Sequence, residues 1–464
     1  AVCGMGNNGG DGVAAARLLW EDGFLVTICL IGNEEHASDE MKKQLTIVRK
    51  LGLHICTGLP SGEYDVILDA IFGIGISREI TGEFADAVNW INEQDSLRFA
   101  VDIPSGVNAT TGEILAVAAA ADFTITFGTN KRGIVLFPGC NYAGTVIVSD
   151  IGFPKKAVEE IRPRAYTLTR QDAMELMPPR ILRSNKGSYG KVLVIAGSAE
   201  ISGACYLCAA AAGRMGSGLV KVFTAAENST VIRTRLPEAL VATYDSTLDY
   251  SQPVNRLELS ERLQEEIKWA SCIVIGPGIG TKEPAGILLT EVLKEKNKAI
   301  VIDADGLNVL SGKDEYFVER EDGTRKLALS ANVVLTPHLQ EMTRLTRFEL
   351  PQIRTRIVDQ ALLALECANG QTLVLKDART VVTDGGEVYI NTTGNNALST
   401  GGTGDVLAGM IAGLLAQGMR PKRAAVLAVC LHGIAADEYV RDRGGRYSMI
   451  ASDLLDMLPQ ILPK

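Results

Sequence analysis

The feature that most restricts this chain is a rhythm of short, continuous apolar runs alternating with longer helical patterns. In the first third the runs are FLVTICLIG (24–32), YDVILDAIFG (64–73), FAVDIPSG (99–106), DFTITFG (122–128) and TVIVSDIG (145–152). Helical patterns such as ASDEMKKQLTIVRKLG and GEFADAVNWINEQ lie between the earlier ones. Continuous rather than alternating apolar strands, joined by helices, predict a parallel sheet covered on both faces. The polar stretch FPKKAVEEIRPRAYTLTRQDAMELMPPR (153–180) interrupts the rhythm and marks a boundary. It restarts with KVLVIAGS (191–198), LVKVFT (219–224), CIVIGPGIG (272–280), KAIVIDADGLN (298–308), NVVLTPH (332–338) and TLVLKDARTVVTDG (372–385). A glycine- and alanine-rich helical tail follows from about 403. Two successive α/β domains are expected, over 1–155 and 166–464, with a linker at 156–165.

A length of 464 residues with 46% hydrophobic and only 5% aromatic content suits such a pair of domains. The net charge of −9 argues against a nucleic-acid or anionic-membrane partner. Any phosphate must therefore be held locally, by backbone N–H groups or a few basic side chains. Nine cysteines are an odd count, and several (Cys29, Cys272, Cys430) sit in apolar runs. They read as buried, reduced thiols of a cytoplasmic protein. No apolar run reaches the ~18 residues of a membrane span, and no secretory leader precedes the first motif. The chain begins at Ala1 inside a strand, so a preceding N-terminal segment is expected to be missing.

The strongest local signal is NNALSTGGTGDVLAGMIAGLLAQG (395–418). The glycine-rich turn Gly401–Gly404 leads into an apolar helix expected to begin near Asp405. Glycines let backbone approach an anion closely, and first-turn N–H groups have no intrahelical partner. Asp405 reads either as an N-cap or as a base beside an anion hole. Similar alternatives attach to its neighbours in the sequence. His338 also reads as a turn cap after Pro337, Asp303 and Asp305 as helix caps, Lys376 as a solvated strand end, and Gly278 with Gly280 as a tight turn.

The GGTGD motif resembles the anion hole of the ribokinase-like superfamily. With KGSYGKVLVIAGS, GPGIG, VIDADGLNVL, TPH, VLKDART and STGGTGD, the order and spacing over about 165–464 closely resemble the ADP- or ATP-dependent NAD(P)H-hydrate dehydratases. Asn396 stands where that family often has proline, and Ser399 where alanine is usual. The resemblance implies an adenine nucleotide with magnesium, ADP favoured over ATP. It implies that Asn395, Asn396, Ala397, Leu398, Ser399, Thr400, Gly401, Gly402, Thr403 and Gly404 line the nucleotide. Lys376, Asp377, Ala378, Arg379 and Thr380 contact its ribose and phosphates. Ala204, Gly278, His338 and Asp405 face the hydrated nicotinamide nucleotide, and Asp405 deprotonates the hydroxyl on its carbon 6. Phosphorylation of that hydroxyl and loss of phosphate then restore the ring.

The first domain opens with CGMGNNGGDG (3–12), in which Gly4, Gly6 and Gly9 match the G-x-G-x-x-G of dinucleotide-binding loops. Glu34 or Glu35, after the next apolar run, offers a ribose ligand. Asp11, however, would repel a pyrophosphate, and the amide oxygens of Asn7 and Asn8 suit a cation. Asp69, Asp102 and Ser105 fall at strand carboxyl ends, which in an open parallel sheet line one crevice. Oxygen ligands without His or Cys fit an alkali or alkaline-earth ion; caps and turns are the plainer alternative.

This set resembles the NAD(P)H-hydrate epimerase family, through GNNGGDG, D-A-hydrophobic-F-G-x-G at Asp69 and D-hydrophobic-P-S-G at Asp102, over residues 1 to about 155. The resemblance implies a Rossmann-like three-layer sandwich with K+ on Asn8, Asp69 and Ser105. It places substrate against Asn7, Asn8, Gly9, Gly10, Asp11, Gly73, Ile74, Gly75, Ile76, Ser77, Arg78 and Glu79, with Asp102 as the acid–base group and a carboxyl pKa raised by its crevice. Epimerase followed by dehydratase is the order of the bifunctional NAD(P)H-hydrate repair enzymes, so a homo-oligomeric, two-activity repair enzyme is expected. The alternative is a ribokinase-like kinase of a small alcohol carrying an N-terminal nucleotide-binding module.

Overall fold

Seven strands of the first unit make one sheet: β1 (Val2–Cys3), β2 (Thr27–Leu30), β3 (His54–Thr57), β4 (Val66–Ala70), β5 (Leu97–Val101), β6 (Phe123–Phe127) and β7 (Thr145–Ser149). Their order is β3-β2-β1-β4-β5-β6-β7, and every pairing is parallel. The computed structural model describes residues 1–161, 163–366 and 370–463. Its two compact units are Ala1–Pro163 and Arg164–Lys464.

The helices Asn7–Glu21 and Asp39–Leu51 cover one face of this sheet, with Val13, Ala16, Met41, Leu45 and Val48 packed on Cys3, Ile28 and Leu30. Glu83–Glu93 covers the other through Ala87, Val88 and Ile91. Three layers result. The order reverses between β1 and β4, which opens a crevice at their carboxyl ends for a ligand. Asp39–Leu51 shows how local chemistry sets an element: Ser38 caps it through Met41 N, Asp39 and Glu40 sit in its first turn, and Gly52 ends it in the left-handed region.

The second unit holds β8 (Ala165–Tyr166), β9 (Lys191–Ile195), β10 (Leu219–Ala225), β11 (Leu240–Tyr244), β12 (Cys272–Ile275), β13 (Ala299–Ile302), a small hairpin of β14 (Phe317–Glu319) and β15 (Arg325–Leu327), β16 (Val333–Leu335), β17 (Thr372–Leu375), β18 (Val381–Thr383) and β19 (Val388–Ile390). Its main sheet runs β11-β10-β9-β12-β13-β16-β17-β18-β19-β8. Strands β11 to β17 are parallel, and β18 is antiparallel to both neighbours. The helix Thr403–Ala416 is apolar on every side and lies in the core against Gly203–Arg214. A Cβ on Gly409 would stand 2.1 Å from Cys208 O. Glycine there costs about 1 kcal/mol of helix propensity and lets the two backbones touch.

Three expectations are adjusted. The stretch expected as a linker contains the helix Lys155–Ile161 and strand β8, paired with Val388 and Tyr389 of β19. The last-third helix begins at Thr403 rather than near Asp405. Strands β3 and β11 carry no long apolar run, because each is an edge strand and half solvated. Cys205 and Cys208, one helical turn apart, are buried free thiols.

Candidate functional sites

The glycine loop of the first unit connects β1 to the helix Asn7–Glu21. A Cβ on Gly9 would lie 1.7 Å from Gly4 O, and one on Gly4 would lie 2.2 Å from Ile71 O. Gly9 and Gly10, expected against substrate, are buried and do not line the neighbouring cavity. Beside the loop lies a cavity of about 970 Å³ lined by Asn7, Asn8, Asp11, residues 73–78 and Asp102. So the fold brings together Gly73, Ile74, Gly75, Ile76, Ser77 and Arg78 with the asparagines. Glu79 lines an adjoining pocket of about 310 Å³ instead. Glu34 is held by Arg49 at 2.6 Å, and the polar residues after β2 that line the cavity are Asn33 and His36. The sequence reading missed both.

Beneath the loop, Asp69 is buried and its carboxylate accepts from Ser105 N (2.7 Å), Ser105 Oγ (2.6 Å) and Ile71 N (3.4 Å). Burial pushes its pKa up to about 6 against those hydrogen bonds. No cationic side chain pairs with it among the described residues. Asn8 Oδ1 faces Gly73, and its buried Nδ2 has no hydrogen-bond partner. This is an oxygen-rich, anionic pocket without a counter-charge, which suits a monovalent cation.

Asp102 stands at the end of β5 with φ +68°, strained for a non-glycine residue. Its Oδ1 accepts from Lys131 Nζ at 2.6 Å, Thr126 Oγ1 at 3.1 Å and Phe127 N at 3.2 Å. Lys131 was not foreseen: it lies past β6, in a loop with no motif. Its ammonium forms an ion pair with Asp102, a partner that the reading of Asp102 as the acid–base group did not include.

In the second unit the first turn of Thr403–Ala416 carries Asp405. Gly402, φ +93°, supplies the N-cap without a side chain, so Asp405 is not the cap. Burial, then the charge of Asp303, pushes the Asp405 carboxyl up to about 7. Lys376 Nζ pairs with Asp303 Oδ1 at 2.7 Å and lies 3.4 Å from where a Gly404 Cβ would be. Burial opposes the charge on Lys376, yet Asp303, Glu341 and Asp405 outweigh it and raise its pKa. Asp303 is therefore an ion-pair partner rather than the helix cap it was read as. Asp305 Oδ2 accepts from Gly280 N at 3.0 Å, fixing the GPGIG turn. A Cβ on Gly278 would lie 3.1 Å from Ala204 Cβ, so these two predicted contacts meet.

His338 is the N-cap of the helix Leu339–Thr346: Nδ1 accepts from Gln340 N (3.1 Å) and Glu341 N (3.2 Å). Its backbone N–H is bound by Glu341 Oε2 at 2.8 Å, a reciprocal capping box. Both readings of His338 survive, because its side chain is half exposed and it pairs in the strand register with Lys376. Burial lifts Glu341 to about 7, and neighbouring Lys376 opposes this. The loop 395–404 is fastened at both ends. Asp437 accepts from Gly394 N and Asn395 Nδ2, each 2.8 Å, and Thr403 Oγ1 donates to Leu398 O and Thr400 O. His432 Nε2 lies 3.0 Å from Thr403 O, and burial drops its pKa to about 4. Ala397 is buried and Leu398 packs on the core, so they offer a ligand backbone only; Asn396, Ser399 and Gly401 are exposed. Thr380 Oγ1 donates to Asp377 O, closing the β17–β18 turn that holds Asp377, Ala378 and Arg379.

Known proteins match both halves. Residues 192–460 match the family described as NAD(P)H-hydrate dehydratase, and residues 1–133 match YjeF-related protein N-terminus. The bifunctional NAD(P)H-hydrate repair enzyme Nnr of Thermofilum pendens is 35% identical over 99% of this chain and 86% of its own. That of Moorella thermoacetica is 36% identical with the same coverage. Among solved structures, the ADP/ATP-dependent NAD(P)H-hydrate dehydratase of Bacillus subtilis, co-crystallized with ATP/Mg2+, is 29% identical at a TM-score of 0.51. It matches 63% of this chain and 96% of its own. A ribokinase-like superfamily protein of Enterococcus faecalis is 28% identical at 0.54, over 64% and 94%.

Proposed function

The chain belongs to the family of bifunctional NAD(P)H-hydrate repair enzymes, and from that premise we propose how its two sites divide the work. The first unit epimerises the hydroxyl-bearing carbon 6 of hydrated NADH or NADPH. The second dehydrates the S epimer at the expense of ADP or ATP, releasing AMP and phosphate when ADP is used. The two activities fall on the compact units Ala1–Pro163 and Arg164–Lys464.

The observation that carries the second half is Asp405 in the first turn of a helix whose N–H groups face a glycine turn, beside Lys376 and Asp303. Asp405 takes the proton of the carbon 6 hydroxyl, and that oxygen attacks the terminal phosphorus of the nucleotide. The first-turn N–H groups and Lys376 stabilise the charge on the phosphoryl group in transit. The C6–O bond then breaks with the ring nitrogen's electron pair, phosphate leaves, and carbon 5 gives up a proton to restore the double bond. Residues 395–404 and 376–380 hold the nucleotide, and Mg2+ carried in with it would neutralise phosphate charge there; Ala204, Gly278 and His338 face the nicotinamide nucleotide.

In the first unit, Asn7, Asn8, Asp11, residues 73–78 and Asp102 bind the hydrate. Asn8, Asp69 and Ser105 would hold K+, which supplies the counter-charge that buried Asp69 lacks. The reading also takes the enzyme as a cytoplasmic homo-oligomer. Eight described cysteines are free, and among the described residues no helix is long and apolar enough to cross a membrane. The test is recovery of 340 nm absorbance from hydrated NADH with ADP and with ATP, using each pure epimer. Recovery supports repair; a lasting phosphorylated alcohol would instead mark a kinase.

A further inference from the structure

The cavity of the first unit contains two carboxylates that the fold treats in opposite ways. Every donor to Asp102 converges on one oxygen: Lys131 Nζ, Thr126 Oγ1 and Phe127 N all reach Oδ1. The same ammonium donates to Phe127 O at 2.8 Å, so its direction is fixed from two sides. Asp102 N donates to Ile125 O at 2.8 Å, which secures the strained backbone. Among the described residues Oδ2 accepts nothing, and Asp102 lines the cavity. The side chains of Asp102 and Lys131 are only 11% and 15% exposed, so this ion pair is weakly screened. It fixes Oδ1 of Asp102 and leaves Oδ2 as one bare oxygen for a ligand.

Asp11 lines the same cavity from the helix Asn7–Glu21. Among the described residues it has no hydrogen bond to its side chain and no ion-pair partner. Burial first, then the negative charge of Asp102, favours its protonated form. The other titratable or charged groups on this cavity are His36, Arg78 and Glu83, none of them bonded to either carboxylate. One carboxylate held by an ammonium and one left without a partner on the same cavity are suited to divide into a base and an acid.

We propose that Asp102 and Asp11 form the base–acid pair of the epimerase reaction and that Lys131 is the positioning residue that keeps Asp102 in the role of base. This rests on the reading of the first unit as an epimerase. Carbon 6 carries both the hydroxyl and the ring nitrogen, so its configuration inverts without redox chemistry. Asp102 Oδ2 takes the hydroxyl proton, and the O–H electron pair becomes the second C–O bond. The C6–N1 bond breaks with its pair going to N1, which takes a proton from Asp11. Rotation about C5–C6 turns the other face of the aldehyde towards N1. Ring closure then returns one proton to Asp11 and the other to the new hydroxyl. Nothing is consumed, as an isomerisation requires.

The test uses the full chain and the pure R epimer without nucleotide, reading epimer exchange by chromatography. Lys131→Met is expected to lower kcat for exchange on the order of 10²-fold, with KM changed far less, and ethylammonium in the buffer restores part of that rate. Lys131→Arg retains more activity than Lys131→Met. Asp11→Asn and Asp102→Asn lose kcat on a similar scale, and ethylammonium does not help them. Exchange in D2O leaves carbon 5 free of deuterium. Dehydration of the S epimer, measured on the same preparations with nucleotide added, reports how much intact chain is present. Wild-type exchange by Lys131→Met or by Asp11→Asn, or deuterium at carbon 5, overturns the proposal. A parent chain that exchanges no epimers overturns the epimerase reading itself.

Discussion

Lys376 Nζ lies 2.7 Å from Asp303 Oδ1, and the Asp303 side chain is only 1% exposed. The pair joins the end of β13 to the end of β17, across β16, at the glycine turn that opens the Thr403 helix. Removing one partner from a buried ion pair leaves an uncompensated charge and costs about 3–5 kcal/mol. Lys376→Met is therefore expected to lower Tm and to lose dehydration together. Adding Asp303→Asn to that variant regains part of the Tm without regaining activity. Thermal melts beside the 340 nm assay separate the two effects, and full activity in the double variant would remove Lys376 from the phosphate site.

Asp405 acts as a base only when ionised, and its carboxyl is raised to about 7 by burial and by Asp303. The rate of dehydration should rise with pH through about 7 and level off above it. Asp303→Asn removes a negative neighbour, so this limb moves to lower pH. Asp405→Asn lowers kcat on the order of 10²–10⁴-fold. A pH–rate profile that is flat from pH 5 to 8 would exclude Asp405 as the titrating base.

His338 does two jobs that one substitution can separate. Its Nδ1 caps a helix through two backbone N–H groups, and a lost cap costs about 1 kcal/mol. His338→Ala should lower stability and raise KM for the hydrate, whereas His338→Asn, a good cap, restores stability alone. Burial first, then Lys376 and Arg344, lowers the imidazole pKa below 6.5. A neutral ring is therefore favoured by folding: the contribution is complete above 6.5 and fades as pH falls through the lower native value. Chemical denaturation at two pH values checks the sign.

Asp69 titrates the other way. Its native pKa of about 6 exceeds the ordinary 3.8, so the ionised form opposes folding, and stability from this group is lost as pH rises through 6. The cost at neutral pH is on the order of 3 kcal/mol. K+ bound at Asn8, Asp69 and Ser105 offsets it. Replacing Na+ with K+ should raise the Tm above pH 6, much less below it, and not at all in Asp69→Asn. An equal response in Asp69→Asn would locate the ion elsewhere.

What could be read from the sequence follows the physics of each position. The sheets were legible because buried parallel strands must be continuously apolar, and edge strands β3 and β11 were not because they are half solvated. Asp405 and the glycine turn were legible because an anion hole needs those residues contiguous in the chain. Lys131 and the pairing of Asp303 escaped because their roles arise from contacts between separate strand ends. Asp102 and Lys131 are separated by a whole strand, and Asp303 and Lys376 by 73 positions. Gly9 carries a second message: a residue of a motif shared with ligand loops also serves the interior.

That last point has a consequence for tracing descent. A side chain at Gly9 would collide with the carbonyl of Gly4 whether or not anything ever binds. Gly4 and Gly9 are thus held in place by folding, and a descendant that had lost its chemistry would still display them. Sorting working enzymes from silent copies calls for a different letter, the aspartate at 11, which among the described residues has no partner for the fold to keep.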